Sequence, residues 1–179
     1  AFTHLHVHTE YSLLDGSNKI KEYVAVVKEL GMDSAAITDH GVMYGIIDFY
    51  RAARAAGINP IRAASYVAPG SRFDREIGSG DDRYYHLVLL AENNKGYQNL
   101  MKIVSKSFKE GFYYKPRVDL ELLQEYHEGL IALSACLAGE VARFINRVFM
   151  RMLEAALRYQ DIFGKGNVFS WSFRITHPG

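Results

Sequence analysis

His4, His6 and His8 alternate with Leu5 and Val7 at the start of this 179-residue chain. On a strand, a period of two places all three imidazoles on one face. Rings packed side by side repel if protonated, so the arrangement favours neutral imidazole, the form that binds metal. The competing reading is a polar strand edge. Asp15 follows in Ser12-Leu13-Leu14-Asp15-Gly16. It is either a carboxylate ligand or a helix N-cap, and Ser17 or Asn18 can cap the next helix equally well. Asp39-His40-Gly41 comes after the apolar run 34–38, as a second ligand source or as a turn around Gly41. His86 precedes Leu87–Ala91. That is the wrong end of the run for a site gathered at the carboxyl ends of strands. Cys136 alone reads as a buried apolar residue, and as a soft ligand if the histidines converge on it.

A second feature is the segment from Phe108 to Arg117, where aromatics interleave with Lys109, Lys115 and Arg117. Such a mixture stacks bases and holds phosphates, or packs a loop onto the body. There is no Walker loop. Arg143, Arg147, Arg151 and Arg158 read as one solvated helix face.

These residues need elements to position them. Strand-like runs fall at 5–8, 34–38, 61–68, 87–91, 130–134 and 168–173. Helical spacing covers 18–30, 44–56, 97–109 and 120–126, with one long helix over 141–163. Gly31 and Gly57 are natural helix stops. Strands alternating with helices predict an α/β fold with a largely parallel sheet. Six strands are too few for an eight-stranded barrel. A polar excursion spans 71–83. No repeat or linker divides the chain, so residues 1–179 read as a single unit.

Lys and Arg number 21 against 20 Asp and Glu, a net charge of +1. That balance argues against a disordered tail and a strongly basic nucleic-acid coat, and leaves room for a local patch. One cysteine excludes an internal disulfide and fits a reducing cytoplasm. No apolar run approaches the roughly 20 residues of a membrane span. No signal-peptide pattern opens the chain, which lacks an initial Met and reads as processed or cut from a longer one.

HLHVHTEYSLLDG (4–16), TDHG (38–41), HLVLLAENNKGYQNLMKI (86–103), EGFYYKPR (110–117) and GLIALSACLAGE (129–140) together resemble one family. It is the PHP (polymerase and histidinol phosphatase) domain found at the N-terminus of bacterial DNA polymerase III alpha subunits. The resemblance implies a distorted, TIM-like (β/α)7 barrel with up to three divalent metals, zinc, manganese or iron. Many members are phosphoesterases. In some replicative polymerases the domain is a 3′→5′ exonuclease, and in others it is structural.

By motif, the resemblance makes His6, His8, Asp15, His40, His86 and Cys136 metal ligands, and gives His4 no role. It also implies DNA, the parent polymerase core and other replisome subunits as partners, in a bacterial cytoplasm. Three departures stand out. Ala64, in Ile61–Ala68, falls where the family carries a bridging Glu. The match ends near residue 168, leaving a divergent tail over 169–179. The chain also stops before a late Asp-x-His pair. These departures imply an incomplete barrel, fewer metals held at the His6, His8 and His40 side, and reduced exonuclease activity. Phe169, Trp171 and Phe173 would line an open edge suited to self-association.

Overall fold

The computed structural model describes residues 2–13, 15–64, 70–75, 84–145 and 149–169. The elements run α1 (Ile20–Glu29), β1 (Ser34–Ile37), α2 (Ile46–Ala56), β2 (Asn59–Ala64), β3 (Val88–Ala91), α3 (Asn94–Lys109), α4 (Leu120–Tyr126), β4 (Leu130–Leu133), α5 (Glu140–Ile145), α6 (Phe149–Phe163) and β5 (Val168–Phe169). In α1, Ile20, Val24 and Val27 are buried at helical spacing. The helix α2 ends where Gly57 turns left-handed, at φ +77°. Its N–H there returns to the Arg54 carbonyl at 3.2 Å, and a side chain would strain the turn. Asn93 caps α3 by accepting from the Gly96 N–H at 2.9 Å. Asp119 caps α4 by accepting from the Leu122 N–H at 3.0 Å.

The five strands form one mixed sheet in the order β1-β2-β3-β4-β5. The pairs β1–β2 and β4–β5 are parallel. By contrast, β3 is antiparallel to both β2 and β4. One face packs Leu89, Ala91, Leu130 and Ala132 against Leu100 and Ile103 of α3, Leu122 of α4 and Tyr159 of α6. At the other end of the sheet, Ala35 and Ile37 pack against Val24, Val27 and Phe49 of α1 and α2. The opposite face carries Leu90 and Leu133 beside Leu5 and Ile61. An apolar groove of about 520 Å³ runs there, with Phe169 on its wall.

Four expectations change. The fold is α/β, with a mixed rather than largely parallel sheet. Two helices, α3 and α4, separate β3 from β4, in place of the single crossover helix that joins the parallel neighbours β1 and β2, and the two strands pair antiparallel. The sheet is not closed into a barrel among the described residues.

The segment Leu5–His8 forms no regular ladder with β1. Its carbonyls at His4 and Val7 accept from Ala36 and Thr38. The spacing of three residues against two breaks the ladder, and the Thr38 side chain fills the gap by accepting from the Val7 N–H at 3.0 Å.

The single long helix becomes α5 and α6. Arg158 and Tyr159 both reach the Glu140 carboxylate. In one continuous helix residues 18 apart would stand about 27 Å apart. Ser65 to Ala68, Arg147 and the tail from Ser170 onward lie outside the described residues.

Candidate metal centre

The reversed strand settles the position of His86. Because β3 opposes its neighbours, its N-terminal end lies at the same sheet rim as the carboxyl ends of β1, β2 and β4. His40 follows β1, His86 precedes β3 and Cys136 follows β4, so all three arrive at that rim. The His86 N–H donates to the Ala138 carbonyl at 3.1 Å, tying the two loops together.

Two donor triads meet there. His6, His8 and His86 form an inner one, and His8, Asp15 and His40 an outer one. Within each, the ligand atoms lie within 4.8 Å of one another. His86 is only 7% exposed, whereas the Asp15 side chain is 55% exposed. The His8 and His40 rings stack with centroids 4.0 Å apart. The His6 and His86 rings meet edge-on at 5.1 Å. Asp15 pairs with His40 Nε2 and lies 4.0 Å from His8 Nε2. It therefore belongs to the cluster and does not cap α1, whose N-cap Lys19 makes no side-chain cap. Asn18 instead donates to the His8 carbonyl at 2.9 Å.

Cys136 stands outside both triads. Its Sγ lies 3.2 Å from His86 Nδ1, where it orients the ring. His4 is turned away, its ring against Phe2 at 4.8 Å.

Burial, then the neighbouring His8 and His40, pull His6 down to about 4. Burial, then His6, His40 and His8, pull His86 down to about 3. Burial followed by His40 also lowers His8, against Asp15 and the Thr38 backbone. The hydrogen bond from His40 is the largest cause holding Asp15 below the usual carboxylate range. At neutral pH His6, His8 and His86 are therefore uncharged and Asp15 is anionic, which is the protonation state a divalent cation requires. His6 Nε2 is buried without a hydrogen-bond partner. A bound cation would satisfy it, so the donor set fits a metal.

The sign of the acid response follows. His6 and His86 titrate at 6.5 when unfolded and near 4 and 3 when folded. Below pH 6.5 the unfolded chain takes up more protons, so stability is full above that value and is lost as pH falls towards 4 and 3. Urea midpoints measured in EDTA should hold level from pH 7.5 to about 6.5 and fall from there to pH 5, with a shallower fall in His86→Gln. A flat profile would contradict the buried neutral rings.

The loop carrying Asp15 is held by Asp39, which is 2% exposed. Its carboxylate accepts from the Thr9 N–H at 2.6 Å, the Thr9 hydroxyl at 2.7 Å and the Ser12 hydroxyl at 2.7 Å. Ser12 Oγ in turn accepts from the His40 N–H at 3.1 Å. Gly16 is required because a Cβ there would run into the Thr9 carbonyl. Sequence reasoning placed Asp39 beside a ligand but missed this latch, whose signal is the Thr9/Ser12 pair of short hydroxyls. Asp39→Ala should weaken metal binding by about 10- to 100-fold without removing a ligand, as read by zinc competition titration.

A groove of about 770 Å³ opens over the cluster. Asp15, His40, His86 and Cys136 line it together with Lys115, Tyr44, Tyr84 and Tyr114. Lys115 Nζ sits 4.7 Å from the Tyr84 ring centroid. Arg117, expected beside Lys115 at a nucleic acid, is instead 0% exposed. Its guanidinium donates to the carbonyls of Gly111, Arg72 and Asp74 at 3.1, 3.1 and 2.7 Å. It holds a loop and does not face a phosphate.

An α/β sheet with a polyhistidine rim defines the class of protein. The PHP domain family matches residues 4–170, and the chain belongs to that family. It is 48% identical over 171 residues to DNA polymerase III subunit alpha of Treponema pallidum (strain Nichols), across 94% of this chain and 15% of that protein. It is 47% identical to DNA polymerase III subunit alpha of Aquifex aeolicus (strain VF5), across 91% of this chain and 15% of that protein. The chain thus spans about 15% of the length of these relatives. A solved amidohydrolase from Chromobacterium violaceum superposes with TM-score 0.44 at 18% identity, over 90% of this chain and 50% of that one. Among the described residues, no helix is long and apolar enough to cross a membrane.

Proposed function

We propose that residues 1–179 form the PHP unit of a bacterial replicative polymerase alpha subunit, and that its rim hydrolyses DNA phosphodiesters from the 3′ end with divalent metals. The carrying observation is the pair of triads sharing His8, whose members Asp15, His40 and His86 line one groove. His6, His8 and His86 would hold one ion, and Asp15 and His40 would offer donors to a second, since the neutral His8 ring has one lone pair and serves one ion at a time. Such ions supply Lewis acidity and activate water near neutral pH, so no serine or cysteine nucleophile is needed. The chain's own residues do the rest. The neutral rings lend lone pairs, the Asp15 carboxylate offsets cationic charge, and Lys115 balances a phosphate. Cys136 keeps His86 aimed at the rim. Zinc, manganese and iron all suit these donors. DNA, the parent polymerase core and other replisome subunits are the partners this reading supplies, in the cytoplasm.

A second reading, a non-catalytic scaffold, is favoured by one observation. The rim end of β2, Arg62-Ala63-Ala64, brings no carboxylate to join Asp15. Elemental analysis of the purified chain decides between the two. About two metal equivalents, with manganese-dependent release of nucleotides from a 3′-labelled single strand, is the expected result. Less than about a tenth of an equivalent would sink the catalytic reading and leave the scaffold.

A further inference from the structure

The groove over the histidines has walls that metal chemistry does not use. Tyr44 and Tyr114 both line it and are 65% and 69% exposed. Rings this exposed contribute little to the core. Tyr114 also adopts φ +61°, a left-handed conformation unfavourable for any residue with a Cβ. The fold nevertheless enforces it. The Tyr113 N–H donates to the Lys115 carbonyl at 3.1 Å across the turn. The Tyr113 ring meets the Tyr114 ring edge-on at 4.6 Å. Buried Arg117 anchors the loop at Gly111 and Asp74. A strained turn with a rigid base thus presents an aromatic face to solvent, next to a lysine and above a phosphate-competent floor. Tyr44 stands four residues beyond His40, its ring 6.5 Å from that of Tyr11.

Aromatic faces, an ammonium and metal donors in one groove match the base and phosphate of a nucleotide unit. We propose that Tyr114 and Tyr44 form a base-stacking subsite that selects single-stranded nucleic acid over duplex at the histidine rim, an inference that rests on the phosphodiester reading above. Duplex bases cover each other's faces, whereas a single strand leaves them open to an aromatic ring.

The test is fluorescence anisotropy in manganese, with three cleavage-resistant phosphorothioate probes: an oligothymidine, an abasic strand of equal length and a blunt duplex. The wild type should prefer the oligothymidine over both others by about tenfold. Tyr114→Gly suits the positive φ and so keeps the turn, and it should bring that preference close to one. Tyr114→Phe should retain it. No preference in the wild type, an unchanged preference in Tyr114→Gly, or equal loss of both single strands would overturn the subsite. Cleavage of an ordinary oligothymidine by the wild type is scored separately. Its failure, with the preference intact, defeats the phosphoesterase reading and leaves the subsite standing.

Discussion

His8→Ala should cost the chain its best-ligated ion, taking it from about two equivalents to about one or fewer. His8 is the one residue common to both triads, so its loss leaves two donors in each. Outer partners that merely orient ligands cost about 10- to 100-fold in affinity, and removal of a direct donor should exceed that. The single-triad variants provide the contrast. His40→Ala keeps His6, His8 and His86 and should retain about one equivalent. His86→Ala should retain the outer ion instead. The variant also changes the metal-free chain in a defined direction. His8 contributes to the lowering of both His6 and His86, so their titrations should move up in His8→Ala, as proton NMR would detect. Full metal content in His8→Ala would mean that His8 holds neither ion.

The second large effect is on stability and comes from Arg117→Ala. The guanidinium is fully buried and serves three carbonyls from two separate segments, at Gly111 and at Arg72 and Asp74. Its removal leaves buried acceptors unpaired and a cavity the size of the side chain. Each unsatisfied group costs about 1–3 kcal/mol, and truncation adds its own packing loss. A total of at least about 3 kcal/mol is expected, or about 6–12 °C in Tm for a chain of this size. Nearby Arg72 stays paired with Asp119 at 2.9 Å, so the loop should loosen locally before it detaches. A variant that melts with the wild type but binds DNA with a lower salt slope would return Arg117 to the surface role first expected for it.

Much of the site was legible because its signals are local. Alternation brought His6 and His8 together, and short apolar runs placed His40 and Cys136 at strand ends. Helix stops at Gly31 and Gly57 were legible for the same reason, since positive φ is written into a single residue. What escaped depends on pairing between distant segments. Nothing in Leu87–Ala91 says which way its strand points, yet the reversal of β3 is what brings His86 to the rim. The fold-back of α6 on α5 hangs on Glu140 meeting Arg158 and Tyr159, a contact across separate turns that periodicity cannot express. Arg117 reads as a surface cation because its partners are carbonyls, which carry no side-chain signature. The same blindness hid the latch at Asp39, whose partners Thr9 and Ser12 lie some thirty residues away.

Strands adjacent in the sheet are also adjacent in the chain, from β1 to β5. Each pairing therefore joins consecutive strands through a single connection, and the sheet can grow by accretion as the polypeptide leaves the ribosome. The outer triad is complete at His40, with the last of its donors encoded before α2 begins. The inner triad must wait for His86. If the centre takes up metal as proposed, that uptake would have a built-in order in time: the exposed half of the donors is encoded while the residue that completes the buried half is still unmade.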